Sequence, residues 1–146
     1  MKKLKHYLIE LDGIDKTGKD TIERYIAYLG KFKYVVNVRG VLSQLAYAEL
    51  YNRDYDYDLS VDKNAIIVYL KAEEDDWKIR CAITHEPKID YNSNIQAFDK
   101  AKTVLINNGI TVLEFNTTQL TPYLIAKRII EYVETLENTE ISEEKE

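Results

Sequence analysis

Apolar positions along this chain alternate between short continuous runs and a spacing of three to four, and the switches outline strands alternating with helices. His6 to Leu11 reads as a strand that ends at the turn-forming Asp12-Gly13. From Thr21 the period changes, with Ile22, Tyr25, Ile26 and Leu29 on one helical face and Gly30 as the stop. Tyr34 to Val38 predicts a second strand closed by Arg39-Gly40, and Leu42, Leu45 and Ala46 a second helix that runs to about Tyr51. Asn52 to Ser60 alternates tyrosine with aspartate and reads as a polar connection. Ala65 to Leu70 is a buried-strand run, followed by an acidic turn and a short helix over Trp77 to Cys81. Thr84 to Asn94, with Pro87 and no period, predicts a loop, and Ile95, Phe98, Ala101 and Leu105 mark a helix closed at Gly109. Ile110 to Phe115 is the last strand and Pro122 to about Leu136 the last helix. The glutamate-rich residues 137–146 predict a disordered acidic tail, which leaves residues 1–136 as a single domain.

Strands that alternate with helices predict an α/β fold: a three-layer sandwich with a parallel sheet of four to five strands. Composition narrows the function classes. A net charge of -5 without a basic stripe argues against nucleic acid as a partner. The basic start, Met1 to Lys5, leads into an apolar run that Glu10 and Asp12 interrupt, too short for a signal peptide or a membrane span. Cys81 is the single cysteine, so no internal disulfide is possible, and the reading is a cytoplasmic protein with no membrane partner. His85 has no companion at metal-ligand spacing.

The chemistry concentrates in Gly13-Ile14-Asp15-Lys16-Thr17-Gly18-Lys19, between the first strand and the first helix. A glycine-bearing loop that feeds a helix N-terminus turns successive backbone N–H groups toward phosphate oxygens. A lysine at its end adds a positive charge beside the terminal phosphates. Gly13, Thr17, Gly18 and Lys19 therefore read as a P-loop. The hydroxyl residue that normally follows the lysine and reaches magnesium is replaced by Asp20, with Thr21 next. Asp20 either helps to hold Mg2+ or is the acidic first-turn residue that helices favour.

Leu11 to Thr21 resembles the opening of thymidylate kinases and their phage-encoded relatives, which read acidic-Gly-x-Asp-x-x-Gly-Lys-x-Thr. Arg39-Gly40-Val41-Leu42-Ser43-Gln44-Leu45-Ala46-Tyr47 is similar to the Asp-Arg-x-x-x-Ser-x-x-Ala-Tyr segment of that family. Tyr69-Leu70 followed by Trp77-Lys78-Ile79-Arg80 is similar to its later strand and arginine-bearing lid. The resemblance implies ATP and Mg2+ as cofactors, a nucleoside monophosphate acceptor, a role in nucleotide biosynthesis and a homodimer. It assigns Gly13 to Lys19 and Thr21 to the ATP phosphates and Asp15 to the acceptor sugar, and the chemistry of a carboxylate and a hydroxyl beside the phosphates makes Asp20 and Thr21 the metal candidates. Lys16, Arg39 and Arg80 join Lys19 as catalytic residues, with Arg39 on the acceptor phosphate and Arg80 on the transferring one. Ser43, Tyr47 and Arg53 are candidates for lining the acceptor site.

Two departures from the family pattern bear on function. Val38 stands where the family usually has the aspartate before its arginine, and Asp20 is expected to take over part of the magnesium role. The stretch from Lys19 to Asn37 has room for one helix and the entry to a strand, whereas the family has a further strand there. Either that strand is lost, or Arg39 belongs to another element. The sequence thus supports ATP-dependent phosphoryl transfer to a nucleoside monophosphate, most readily dTMP or a related deoxypyrimidine. The alternative is a catalytically reduced P-loop protein that binds nucleotides or partners.

Overall fold

The computed structural model describes residues 8–14, 16–54, 64–83 and 90–145. Its elements run in the order β1 (Leu8–Gly13), α1 (Lys19–Leu29), β2 (Val35–Val38), α2 (Val41–Leu50), β3 (Ala65–Lys71), α3 (Glu74–Ile83), α4 (Tyr91–Asn107), β4 (Thr111–Asn116) and α5 (Pro122–Lys145). The four strands form one parallel sheet in the order β2-β1-β3-β4. In register, Leu11 lies opposite Val38 on one side and Val68 on the other, and Leu70 lies opposite both Gly13 and Phe115.

Parallel strands need crossovers, and the crossover helices cover both faces of the sheet. Alternation along β1 sorts its side chains. Ile9 and Leu11 pack with Ile22 and Ile26 of α1, Val68 of β3, and Ile125, Ile129 and Val133 of α5. On the opposite face, Ile67 and Tyr69 meet Leu42 and Ala46 of α2 and Phe98, Ala101 and Leu105 of α4. The same alternation turns Glu10 and Asp12 toward the α2 side, where both are buried. β3, central and covered on both faces, is apolar and buried from Ala65 to Leu70.

Three boundaries differ from the sequence reading. α4 starts at Tyr91 rather than Ile95, because its first turn is held by polar contacts that carry no apolar period: the Tyr91 hydroxyl donates to the Ala72 carbonyl, and the buried Asn94 amide to the Asp90 carbonyl at 2.8 Å. α3 extends beyond Trp77–Cys81 at both ends, and the three acidic residues of its first turn suit a helix N-terminus. α5 continues through residues 137–145, where a disordered tail was expected; no glycine or proline interrupts the stretch, and glutamate propagates helix well. His6 and Tyr7, most of the tyrosine-aspartate connection and residues 84–89 lie outside the described residues.

The chain passes from α1 to β2 with no strand between them, and β2 pairs directly with β1 as the edge of the sheet. Of the two explanations for the short stretch before Arg39, this is the one in which a strand is missing. Arg39 closes the strand next to β1.

At the end of β1, Gly13 has φ 140°, and a Cβ built on it would lie 2.2 Å from the Leu70 carbonyl oxygen. Only glycine lets the strand turn out of the sheet this close to β3. Gly13→Ala is expected to lower unfolding free energy by about 2 kcal/mol or more, as strained backbone and overpacking combine. Urea denaturation checks this, and an unchanged midpoint would contradict the geometry.

Candidate active site

All four strands point the same way, so their C-terminal ends share one edge of the sheet, which is where open α/β sheets bind ligands. A cleft of about 670 Å3 lies at this edge, between the loop after β1, the end of β2, α3 and the segment after β4. Lys16, Thr17, Gly18, Lys19, Asp20 and Thr21 line one side, and Val38, Arg39, Arg80, Ile83, Thr117 and Pro122 the rest.

The phosphate loop is wound around the Ile14 carbonyl. That oxygen accepts hydrogen bonds from the Thr17 hydroxyl at 3.0 Å and from the Lys19 ammonium at 2.9 Å. Lys16 (φ 67°) and Gly18 (φ 82°) are both left-handed, which reverses the chain into α1. No side-chain hydrogen bond caps α1 at Gly18, and its N-terminus lines the cleft with the Asp20 carboxylate in its first turn. Asp20 and Thr21 are exposed in the first turn of α1. Phosphate oxygens would fit the open helix end, with Lys19 beside them. Magnesium keeps most of its ligands as water and substrate oxygens, so a site for it asks for only one or two protein oxygens.

The wall of the cleft at the end of β2 is built differently. β2 continues its pairing one step past its end, with the Arg39 N–H donating to the Leu11 carbonyl at 2.8 Å. Arg39 then takes φ 71°, a left-handed conformation that costs a residue with a side chain about 1–3 kcal/mol and is retained only where the surroundings impose it. The chain enters α2 through Gly40, where a Cβ would lie 2.4 Å from the Glu10 carboxyl carbon.

α2 has no cap of its own. Its first amides are met from β1 instead. Asp12 Oδ1 accepts the Gly40 N–H at 2.7 Å, the Ser43 N–H at 3.3 Å and the Ser43 hydroxyl, while Glu10 Oε2 accepts the Val41 N–H at 3.4 Å. Asp12 Oδ2 is buried with no hydrogen-bond partner among the described residues.

Arg80 ties three elements together. One terminal nitrogen donates to the Lys16 carbonyl at 2.8 Å and the Thr117 hydroxyl at 2.9 Å, and the other to the Thr117 carbonyl at 3.1 Å. The second nitrogen also pairs with Asp76 at 2.6 Å. These four contacts use the outer edge of the guanidinium. As placed, Arg80 braces the phosphate loop against α3 and the turn after β4.

The structure thus brings Lys16, Thr17, Gly18, Lys19, Asp20, Thr21, Arg39 and Arg80 to one cleft. Asp15 lies outside the described residues. Ser43, Tyr47 and Arg53 are not among the cleft's lining residues. Ser43 is buried under the Asp12 carboxylate; Tyr47 packs edge-on against Phe98. Arg53 lies over the Tyr51 ring and lines a separate hollow between α2 and α4. Sequence reasoning missed Glu10 and Asp12 as parts of the site, although two carboxylates in a strand otherwise buried are an available signal. Thr117 and Pro122 carried none, because the fold alone brings them to the cleft.

No protein-family profile matches the chain, and no curated protein matches it by sequence. Among solved structures it is similar to the YorR protein of Bacillus subtilis in complex with phosphorylated GDP. The TM-score is 0.68 at 21% identity, over 87% of this chain and 95% of that one. The likeness carries the architecture, four parallel strands between helical layers, and leaves the thymidylate-kinase assignment to the motifs in the sequence. Among the described residues, no helix is long and apolar enough to cross a membrane, and no three metal-ligating side chains cluster.

Arg80→Ala should loosen the left-handed turn at Lys16 and weaken ATP binding on the order of tenfold, with Arg80→Lys restoring little because an ammonium cannot reproduce the fork. Calorimetric titration with ATP measures this, and full recovery in the lysine variant would mean that charge alone matters.

Proposed function

We propose that the protein transfers the γ-phosphoryl group of ATP to a nucleoside monophosphate, dTMP or a related deoxypyrimidine being the first candidate acceptor. One observation carries the reading: a single cleft at the C-terminal edge of the sheet holds an open helix N-terminus and Lys19 on one wall and Arg39 on another. Phosphoryl transfer asks little covalent chemistry of a protein. It asks for donor and acceptor phosphates held in line, with positive charge around the transferring group.

In this reading the α1 N-terminus and Lys19 bind the β- and γ-phosphates, and Arg39 binds the acceptor phosphate. An acceptor phosphate oxygen attacks the γ-phosphorus while the bond from that phosphorus to the bridging β-oxygen breaks, giving ADP and a nucleoside diphosphate. Asp20 and Thr21 would hold a magnesium ion, which would neutralise phosphate charge. Arg80 keeps the loop in shape, and Lys16 lies close enough to the cleft to add positive charge on the donor side.

Val38 favours a second reading, a protein that binds nucleotide without transferring phosphate. It puts an apolar wall in the cleft where the resembled family carries an aspartate. An ATP-dependent phosphorylation screen over all ribo- and deoxynucleoside monophosphates, with magnesium and with EDTA, separates the two. Purines belong in the screen because the YorR structure contains phosphorylated GDP. ATP binding without transfer to any acceptor would establish the second reading.

Lys19→Ala is expected to lower turnover by orders of magnitude with the melting temperature nearly unchanged, and parental turnover would refute the role of the loop. Asp20→Ala and Asp20→Ser are expected to shift the magnesium dependence of nucleotide binding. If neither variant moves that dependence, Asp20 is no metal ligand.

A further inference from the structure

We infer that Asp12, which does not line the cleft, is the positioning residue for Arg39. The inference rests on the reading of Arg39 as the acceptor-side arginine.

Arg39 is exposed, on an edge strand, in a backbone conformation that a residue with a side chain avoids. Something outside the residue must hold it there. The candidates on its own segment are weak. Gly40 offers no side chain, and α2 lacks an internal cap. The Ser43 hydroxyl is turned back onto Asp12. What fixes the turn comes from β1. The Leu11 carbonyl takes the Arg39 N–H, and Asp12 Oδ1 takes the next N–H, that of Gly40, at 2.7 Å. The same oxygen receives both donors of Ser43, one turn into α2. Arg39 is therefore pinned on both sides by consecutive residues of one strand.

Burial makes this arrangement strong. Asp12 is fully buried, so the amide hydrogen bonds to its Oδ1 meet no competition from water and gain strength in a low-dielectric interior. The carboxylate also sits at the positive end of α2, with Glu10 beside it on the Val41 N–H. Gly40 leaves the space that the Glu10 carboxylate occupies. Finally, Asp12 immediately precedes Gly13, so the residue that sets Arg39 is joined by one peptide bond to the start of the phosphate loop. The spacing between acceptor arginine and donor loop then depends on a rigid central strand rather than on either loop.

The test is calorimetric binding of nucleoside monophosphates, dTMP first, and of ATP to the full chain carrying Asp12→Ala, Asp12→Asn, Arg39→Ala and the double variant Asp12→Ala/Arg39→Ala. Asp12→Ala is expected to weaken monophosphate binding on the order of 10- to 100-fold, because misplacing a binding group by about an ångström has effects of that size. ATP affinity should change by no more than about threefold, a range that additive background effects cover. Asp12→Asn, which keeps the acceptor oxygen without the charge, should recover part of the loss. In the double variant Asp12→Ala should add almost nothing to Arg39→Ala, since its effect runs through the arginine.

The Gly40 amide proton, read by NMR, should move upfield in Asp12→Ala. Should Asp12→Ala not fold, Ser43→Ala removes one donor of the same network and should show a smaller loss with the same selectivity. Equal losses with and without Arg39, or equal losses for ATP and monophosphate, would overturn the inference. A parent that binds the monophosphate, with Asp12→Ala unchanged, overturns this inference alone. A parent that binds ATP but no monophosphate overturns the acceptor reading of Arg39 and this inference with it.

Discussion

The backbone of the site hangs from β1. This strand lies between β2 and β3, and its last residues are shared out in opposite directions: Leu11 and Asp12 hold the turn at Arg39, while Gly13 presses against the Leu70 carbonyl and releases the chain into the phosphate loop. Moving β1 by one residue would exchange Asp12 for Leu11 on the α2 side and remove both functions at once. The apolar packing of Ile9 and Leu11 against α1 and α5 is what prevents such a slip. Core packing on one face of the strand thus keeps polar geometry on the other face in place.

Charge is distributed in the site by layer. Carboxylates are inside, with Glu10 and Asp12 buried under α2, and cations are at the rim, with Arg39 and Arg80 reaching the cleft. Lys19 is in between, buried yet hydrogen-bonded to the Ile14 carbonyl. A buried carboxylate persists where donors converge on it, and here the donors are helix amides. The rim therefore presents positive charge to the cleft, while the interior acids serve the backbone. The two arginines also differ in duty. Arg80 binds a carboxylate, a hydroxyl and two carbonyls through its side chain, and the backbone turn that bears Arg39 is held from β1.

Much of this was legible in the sequence where one physical signal acts alone. The phosphate loop follows from glycine and lysine spacing, and β3 from an unbroken apolar run. α1 was legible from its periodic face of Ile22 and Ile26. Legibility failed where polar groups replace the apolar period: Tyr91 and Asn94 begin α4 through hydrogen bonds, which leave no periodic trace. Arg53 shows the other failure. It follows α2 closely in sequence, but the helix carries it toward α4, away from the cleft. Asp12 was read as a turn former, and its burial follows only from the pairing of β1 with strands far along the chain.

The edge position of β2 has a consequence for how the molecule comes apart. Among the described residues β2 has a single strand neighbour, and its Val35 and Asn37 are exposed. β1 and β3, paired on both sides, belong to the most protected part of the fold. β2 and the turn that bears Arg39 can therefore open as a local unit while the phosphate loop stays folded on the central strands. Such a chain would keep the turn after β1 and the start of α1 in place during excursions that undo the turn at Arg39.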